Sequence, residues 1–185
     1  MAIEEPKFSV AVHEGACEIR DYQAATAAEV TVTGDQKSAG TKGFRLLAGY
    51  IFSGNTKHQA IAMTAPVSQQ QIGQTLAMTA PVTQTPSDGA LVVRFTMPSG
   101  YSLDTLPEPN DSNIKLRNVA PAHFAVIRFS GLANKASVDA KTAELDKFTK
   151  ERHLQTIGPA SLAQYNPPWT LWFMRRNEVM IQLKA

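Results

Sequence analysis

The sequence predicts one α+β domain in which about eight antiparallel strands and two long helices form two β-β-α-β-β halves. Three observations predict this fold: the chain length, a faint long repeat, and a hydrophobic period that changes within each half. A chain of 185 residues is the usual length of one domain and buries roughly 70% of its unfolded surface. Since about eight strands usually curl into a barrel or a strongly twisted open sheet, we expect a single domain over residues 1–185.

The long repeat aligns residues 18–34 with residues 115–131 without gaps, at an offset of 97 residues. Each copy ends in a glycine and leads into a helical pattern, so the two segments occupy the same place in each half. On this basis the halves cover about residues 8–100 and 112–185. The identical pairs in the alignment are Arg20/Arg117, Ala25/Ala122, Ala28/Ala125 and Gly34/Gly131.

Each repeat is followed by a helix and then by strands. Apolar side chains recur at helical spacing between residues 44 and 51 in the first half, and between 136 and 153 in the second. After each helix the period shortens to that of strands, and the Pro-rich segment 101–113 joins the halves. The segments predicted as strands after the helices are residues 61–69, 76–84, 90–98, 161–167 and 177–183.

A short repeat lies within the first half. The nine residues 61–69 return as residues 76–84, and seven of the nine positions are identical. Chance is a poor explanation for that degree of identity at an offset of only 15 residues.

Composition and charge exclude several classes of function. The formal net charge is +2, only 18% of the residues are charged, and no run of five basic residues exists. We therefore expect no nucleic-acid partner. No apolar stretch reaches ~18 residues, which predicts no membrane span, and the first residues do not resemble a signal peptide. The compartment stays open: cytoplasmic as given, or periplasmic if a leader has been removed. The oligomeric state is likewise open.

No standard catalytic signature is present, which argues against an enzyme. Cys17 is the only cysteine, so neither an internal disulfide nor a CxxC site can form. His13 lies four residues before it, but Gly15 suggests a turn between them and no residue can be named that would orient the imidazole as a base. The four histidines are not spaced to share a metal. Glu29 and Glu178 are the acidic candidates if the protein is nevertheless an enzyme, although surface charge explains them as well.

The segment 165–177 is unusually apolar for a loop. Two adjacent prolines force it to be extended, and Trp, Leu and Phe side chains follow where neither a strand nor a helix is predicted. Such a loop is expected to dock on the domain or to cover a ligand, because exposing it favours association. Arg175 and Arg176 follow directly and are candidate partners for an anionic ligand, or for Glu178 and backbone carbonyls.

Short motifs are spread along the chain: EIRDY at 18–22, GFRLLAGYI at 43–51, SGN at 53–55, IAMTAPV at 61–67, FTMP at 95–98, RFSG at 128–131, and YNPP with RRNEV at 165–179. Taken together, they resemble the SOUL haem-binding proteins, and their bacterial branch most closely. The resemblance runs nearly end to end, and its specific parts are the AMTAPV and YNPP…RRNEV motifs.

The resemblance implies a distorted eight-stranded antiparallel barrel with two helices and a duplicated unit. It also implies non-covalent binding of haem or another tetrapyrrole in an apolar groove beside the first helix and under the late proline loop, by a carrier or buffer rather than an enzyme. Cations would hold the propionates, and His58 would be a weak candidate ligand for the iron. The residues implied are Phe44, Arg45, Leu47, Tyr50, Ile51, Lys57, Trp169, Leu171, Trp172, Arg175 and Arg176.

The chain differs from its relatives at positions that matter for haem. Some members carry an axial His directly after the Tyr of the first motif, and here that position is Gln23. Others use basic residues where this chain has Thr41, Gly49 and Thr170. The alternative is therefore a GyrI-like module, which has a similar fold and binds another apolar or cationic small molecule.

Overall fold

The computed structural model describes residues 4–34, 36–71, 89–166 and 169–184. Over these residues the chain forms nine strands and two long helices, so the predicted number of eight strands is wrong. The elements are β1 (Phe8–Glu14), β2 (Cys17–Tyr22), β3 (Ala25–Thr33), α1 (Gln36–Ile51), β4 (Val67–Gln71), β5 (Ala90–Thr96), β6 (Ile114–Val119), β7 (Ala122–Ser130), α2 (Lys135–Glu151), β8 (Thr156–Gln164), a 3-10 turn (Trp172–Met174) and β9 (Arg176–Leu183).

Strand β1 lies within the predicted first half but before the aligned residues 18–34. It is at an edge of the sheet, and most of its side chains are exposed. The short repeat also differs from its prediction. Its first copy enters a strand only at Val67, and its second copy lies outside the described residues.

All neighbouring strands are antiparallel, in the order β1-β2-β7-β9-β8-β4-β5-β3-β6. The sheet curls into a half-barrel, and its two edge strands, β1 and β6, are not paired with each other in the described part of the chain. The β2–β7 and β3–β6 strand pairs have registers that correspond under the repeat offset of 97 residues. Arg20 lies opposite Phe124 in the first pair, and the equivalent residues Arg117 and Ala27 lie opposite each other in the second.

Both helices pack on the sheet, and the alternation of the strands separates the two faces. Val179, Ile181 and Leu183 of β9 belong to the apolar cluster under α2. Side chains alternate across a pleated strand, so Glu178 and Met180 lie on the opposite face. This opposite face carries the charged cluster described below. Neither described helix combines the length and the apolar character needed to cross a membrane.

A side-chain cap fixes the start of α2, and a glycine allows α1 to pack closely on the sheet. The side chain of Asn134 caps α2, with its Oδ1 accepting a hydrogen bond of 2.9 Å from the backbone N–H of Ser137. Helix α1 approaches the sheet closely at Gly43, where an added Cβ would lie 2.5 Å from Cγ2 of Val93. Only glycine allows that distance.

Replacing Gly43 by Ala is expected to lower the free energy of unfolding by about 1–3 kcal/mol, because the helix or Val93 must shift to admit the methyl group. Gly49 of the same helix is the matched control, since an added Cβ there meets no atom within 4 Å. Gly49→Ala is expected to raise that free energy by up to about 1 kcal/mol through helix propensity. Urea unfolding of both variants tests the close approach, and equal effects would contradict it.

Candidate functional site

A buried ionic cluster lies on the sheet face opposite α2. The carboxylate of Glu178 is fully buried, and the guanidinium of Arg20 is only 3% exposed. Arg20 donates two hydrogen bonds to Glu178, from Nη1 to Oε2 at 2.7 Å and from Nη2 to Oε1 at 3.0 Å. The hydroxyl of Tyr165 donates a third, to Oε2 at 2.7 Å. The geometry is the paired arrangement that a buried charge requires.

Arg176 extends this cluster to the N-terminal segment. Its Nε and Nη2 donate to Oε1 of Glu178 at 3.1 and 2.9 Å, and its Nη1 lies 3.1 Å from both carboxylate oxygens of Glu5. Its guanidinium also stacks 3.7 Å from the ring centre of Tyr165. A ligand carboxylate would therefore have to displace Glu5 to reach Arg176.

The pKa directions follow from this geometry. Burial raises the pKa of Glu178, but the hydrogen bonds and charge of Arg20 outweigh it and hold that pKa below its ordinary value. Burial and the neighbouring Glu178 raise the pKa of Tyr165. Glu178 is thus a stably ionised carboxylate with its lone pairs occupied, which makes it a poor proton acceptor.

The apolar loop predicted over residues 165–177 has residues of this cluster near both of its ends, Tyr165 and Arg176. At its base the backbone N–H of Arg176 donates to Oδ1 of Asn166 at 2.6 Å, and the N–H of Tyr165 donates to the carbonyl of Arg176 at 3.2 Å. Arg175 is held within the loop, since its Nε donates to the carbonyl of Thr170 at 2.8 Å. The loop therefore has a closed base, and the turn Trp172–Met174 packs near β7.

The apolar side chains of the loop are exposed. Trp169 is 82% exposed, and the others are 55–63% exposed. The rings of Trp172 and Phe173 stack edge to face, with centres 5.7 Å apart. We call this group the apolar tip; it consists of Trp169, Leu171, Trp172, Phe173 and Met174.

The predicted residues of α1 divide into core and surface. Leu47, Tyr50 and Ile51 are at most 1% exposed and pack in the core between the helix and the sheet. Burial raises the pKa of Tyr50 to about 12, and its hydroxyl donates to the carbonyl of Pro107 at 2.8 Å. Phe44 is half-buried, with its ring centre 5.5 Å from that of Phe95.

Arg45, Lys57 and His58 lie at the surface. The first two are exposed cations, and His58 is an exposed residue with a positive φ of 48° in the loop after α1. The assignment of these residues to a ligand groove with the apolar tip stays a prediction.

The other histidines are engaged or isolated. Nδ1 of His13 lies 3.0 Å from the carboxylate of Glu18, and Nδ1 of His123 lies 2.5 Å from that of Asp21. His153 is exposed. Among the residues with described positions, no group of three or more His, Cys, Asp and Glu side chains is arranged to hold a metal ion.

A cleft of about 280 Å³ lies next to the cluster, and its residues were not singled out as a site from the sequence. The N-terminal segment 4–7, the turn 23–26, residues 96–99 and the end of β6 form its walls. Hydrogen bonds from the side chain and the backbone N–H of Ser99 lower the pKa of Glu4, whose Oε1 accepts the bond from the N–H at 2.9 Å. Glu5, the partner of Arg176, also lines this cleft. One residue of the cleft did stand out in the sequence: Gln23 also lines it and occupies the position where some SOUL proteins carry an axial His.

Glu178→Gln is expected to lower the free energy of unfolding at neutral pH by about 3–5 kcal/mol, because Arg20 and Arg176 lose their buried counter-charge. The loss should depend on pH. The folded-state pKa of Glu178 is lowered, so its stabilisation is complete above the unfolded value of about 4.3 and is lost as the pH falls through the folded-state pKa. Urea unfolding at several pH values should therefore show the wild type and variant converging in acid.

Glu29→Gln is the matched control for this experiment. Glu29 also pairs with two arginines, but the side chains of Arg94 and Arg117 are 35% and 65% exposed, so water can solvate them when the carboxylate is gone. Its effect on unfolding is expected to be smaller. A Glu178→Gln effect that is no larger, or that does not change with pH, would show that the cluster does not act as described.

Several solved structures share the fold. The C-terminal domain of EcmrR has a TM-score of 0.65 at 7% identity, with 91% of this chain and 97% of that chain covered. A hydrolase encoded by lin2189 from Listeria innocua has a TM-score of 0.61 at 12% identity, with 91% of each chain covered. SAV2435 bound to tetraphenylphosphonium has a TM-score of 0.51 at 14% identity, with 91% and 94% covered. These identities establish similarity of fold alone.

A longer EcmrR chain, of which 57% is covered, is known in a DNA complex, so the absence of a nucleic-acid partner stays a prediction here. Among curated proteins, no sequence is detectably similar to this chain. The family comparison is decisive, because the profile described as SOUL heme-binding protein matches residues 3–182. The chain belongs to the SOUL haem-binding protein family.

Proposed function

We propose that this protein binds haem or a related tetrapyrrole non-covalently, as a carrier or buffer. The observation that carries the proposal is membership of the SOUL haem-binding family over residues 3–182. The arrangement of the surface is compatible with it: a flat apolar macrocycle requires exposed apolar side chains, and its propionates require nearby cations. The apolar tip supplies the first of these.

The cations matter because apolar contact alone gives little net affinity. Burying about 300 Å² of apolar surface contributes about 7.5 kcal/mol, which association costs of about 4–15 kcal/mol largely offset. Arg45, Lys57 and Arg175 are the predicted partners of the propionates, while Arg176 is already held by Glu5 and Glu178. We add Arg128, an exposed residue of β7 for which no ionic partner lies among the described residues.

Haem iron, when bound, would supply redox and ligand-exchange chemistry. His58 is the predicted side chain for its coordination, since its imidazole is exposed and lies in the loop after α1. Because Gln23 replaces the relatives' axial His, any other axial ligand would have to come from elsewhere.

Titration with haemin, followed at the Soret band, is expected to saturate at low micromolar concentration. Trp172→Ser removes an apolar surface of the tip and should weaken binding by about tenfold. Ile157→Ser is the matched control: Ile157 is 46% exposed, and it pairs with Gln182, at the end of the β8–β9 pair away from the loop. Absence of a saturable Soret shift, or equal effects of the two substitutions, would refute this assignment.

A second candidate function is binding of a small apolar cation in the cleft. The cleft is slightly smaller than the roughly 300–1,000 Å³ of pockets for drug-sized ligands, so it suits a small molecule better than a tetrapyrrole. It is lined by Glu4 and Glu5 against one cation, Lys7. A protein of the same fold, SAV2435, is known bound to tetraphenylphosphonium.

Calorimetric titration with benzyltrimethylammonium is expected to show binding that Glu4→Gln weakens by about threefold, because an exposed ion pair contributes little. Glu108→Gln, a change at an exposed acid of the loop before β6, serves as control. Binding that haemin does not compete with would place the two ligands at separate sites. No heat of binding at millimolar ligand would remove this candidate.

The internal duplication belongs with these proposals. The two halves, about 8–100 and 112–185, are proposed to be copies of one β-β-α-β-β unit within a single domain. The support is the 97-residue offset of the sequence repeat. Arg20 and Arg117 are equivalent under this offset, as are Ala27 and Phe124, so the Arg20–Phe124 pair in the sheet corresponds to the Arg117–Ala27 pair.

A further inference from the structure

We propose that the apolar tip docks the protein on an anionic lipid bilayer. The tip is a contiguous stretch of chain whose apolar side chains are 55–82% exposed. Exposed apolar surface of this kind marks a binding surface, because leaving it in water favours association. The inference does not depend on haem binding, although it uses the same exposed side chains.

The segment that carries the tip is anchored at its base. Asn166 and Tyr165 close its base through hydrogen bonds to the backbone of Arg176, whose side chain is fixed by Glu178. A surface fixed before binding loses little conformational entropy when it inserts. Next to the base of the loop, Nδ2 of Asn177 donates to the carbonyl of Gly131 at 3.0 Å. Leu132, the next residue, is 54% exposed.

The charges around the tip favour an anionic surface. Residues 165–177 include no Asp or Glu, and Arg175 follows the tip directly. Arg176 adds little, because Glu5 and Glu178 already pair with its guanidinium. Arg128 lies two residues before the end of β7, the strand near which the turn packs, and it is exposed. Cations beside inserted apolar groups interact favourably with anionic headgroups.

The residue types also favour a bilayer over a second copy of the chain. Tryptophan prefers the interface between water and lipid, where its ring is apolar and its N–H remains hydrated. A twofold contact through the tip would bring the same arginines of both copies towards each other, which is unfavourable. A lipid surface presents negative charge instead.

Intrinsic fluorescence can report on the tip directly, because Trp169 and Trp172 are the only tryptophans of the chain. Ligand-free protein is mixed with vesicles of phosphatidylcholine, with or without phosphatidylglycerol. With the anionic vesicles we expect a blue shift of the emission and co-sedimentation, both decreasing as salt is raised. Neither should occur to the same extent with phosphatidylcholine alone.

Variants separate the apolar and ionic contributions. Leu171→Ser should weaken binding to anionic vesicles by about tenfold while keeping both tryptophans as reporters. Arg128→Gln should weaken it by about fivefold and reduce its dependence on salt. Ile157→Ser, with a similarly exposed apolar residue at the other end of β8, should change neither. Circular dichroism spectra of all three variants should match the wild type, so that loss of binding is not loss of fold.

Two results would overturn the proposal. One is absence of binding to anionic vesicles at any salt concentration. The other is concentration-dependent dimerisation that Leu171→Ser abolishes, which would assign the tip to a second copy of the chain. Haemin titration without vesicles is run in parallel, so that failure here and failure of the proposed haem binding remain distinguishable.

Discussion

The pairing of Arg20 with Glu178 is the interaction on which this region of the molecule depends. A carboxylate with no exposure to water is tolerable only when its charge is matched and its lone pairs are filled, and Arg20 and Tyr165 do both. The pairing crosses the sheet from β2 to β9, with β7 between them. It therefore fixes how those strands sit relative to each other on the face opposite α2.

A buried ion pair need not add much net stability, because desolvation opposes the Coulombic attraction. Here the ion pair instead determines the positions of the N-terminal segment and the loop. Arg176 connects Glu178 to Glu5, so the N-terminal segment is attached to the base of the loop. The apolar tip is consequently presented outward by a rigid support, and the cleft has one wall made by the same N-terminal segment.

The order of helices and strands could be predicted from the sequence, because helical and strand periods are local features of the chain. The number of strands was wrong by one, and strand β1 precedes the repeat at an edge where few side chains are buried. The candidate site could not be separated from the core by periodicity. The stripe Leu47, Tyr50 and Ile51 has the same periodicity whether it faces a ligand or the sheet, and in the structure it faces the sheet. The pairing of Arg20 with Glu178, 158 residues apart, depends on strand order and leaves no local pattern.

Glu5 belongs both to the wall of the cleft and to the ionic cluster. A molecule that enters the cleft and moves this carboxylate changes the electrostatic environment of Arg176, and with it the stability of the loop base. Thermodynamic linkage requires the reverse as well: whatever draws Arg176 away from Glu5 alters the affinity of the cleft by the same factor. Two surfaces that share no ligand can thus communicate through a single side chain.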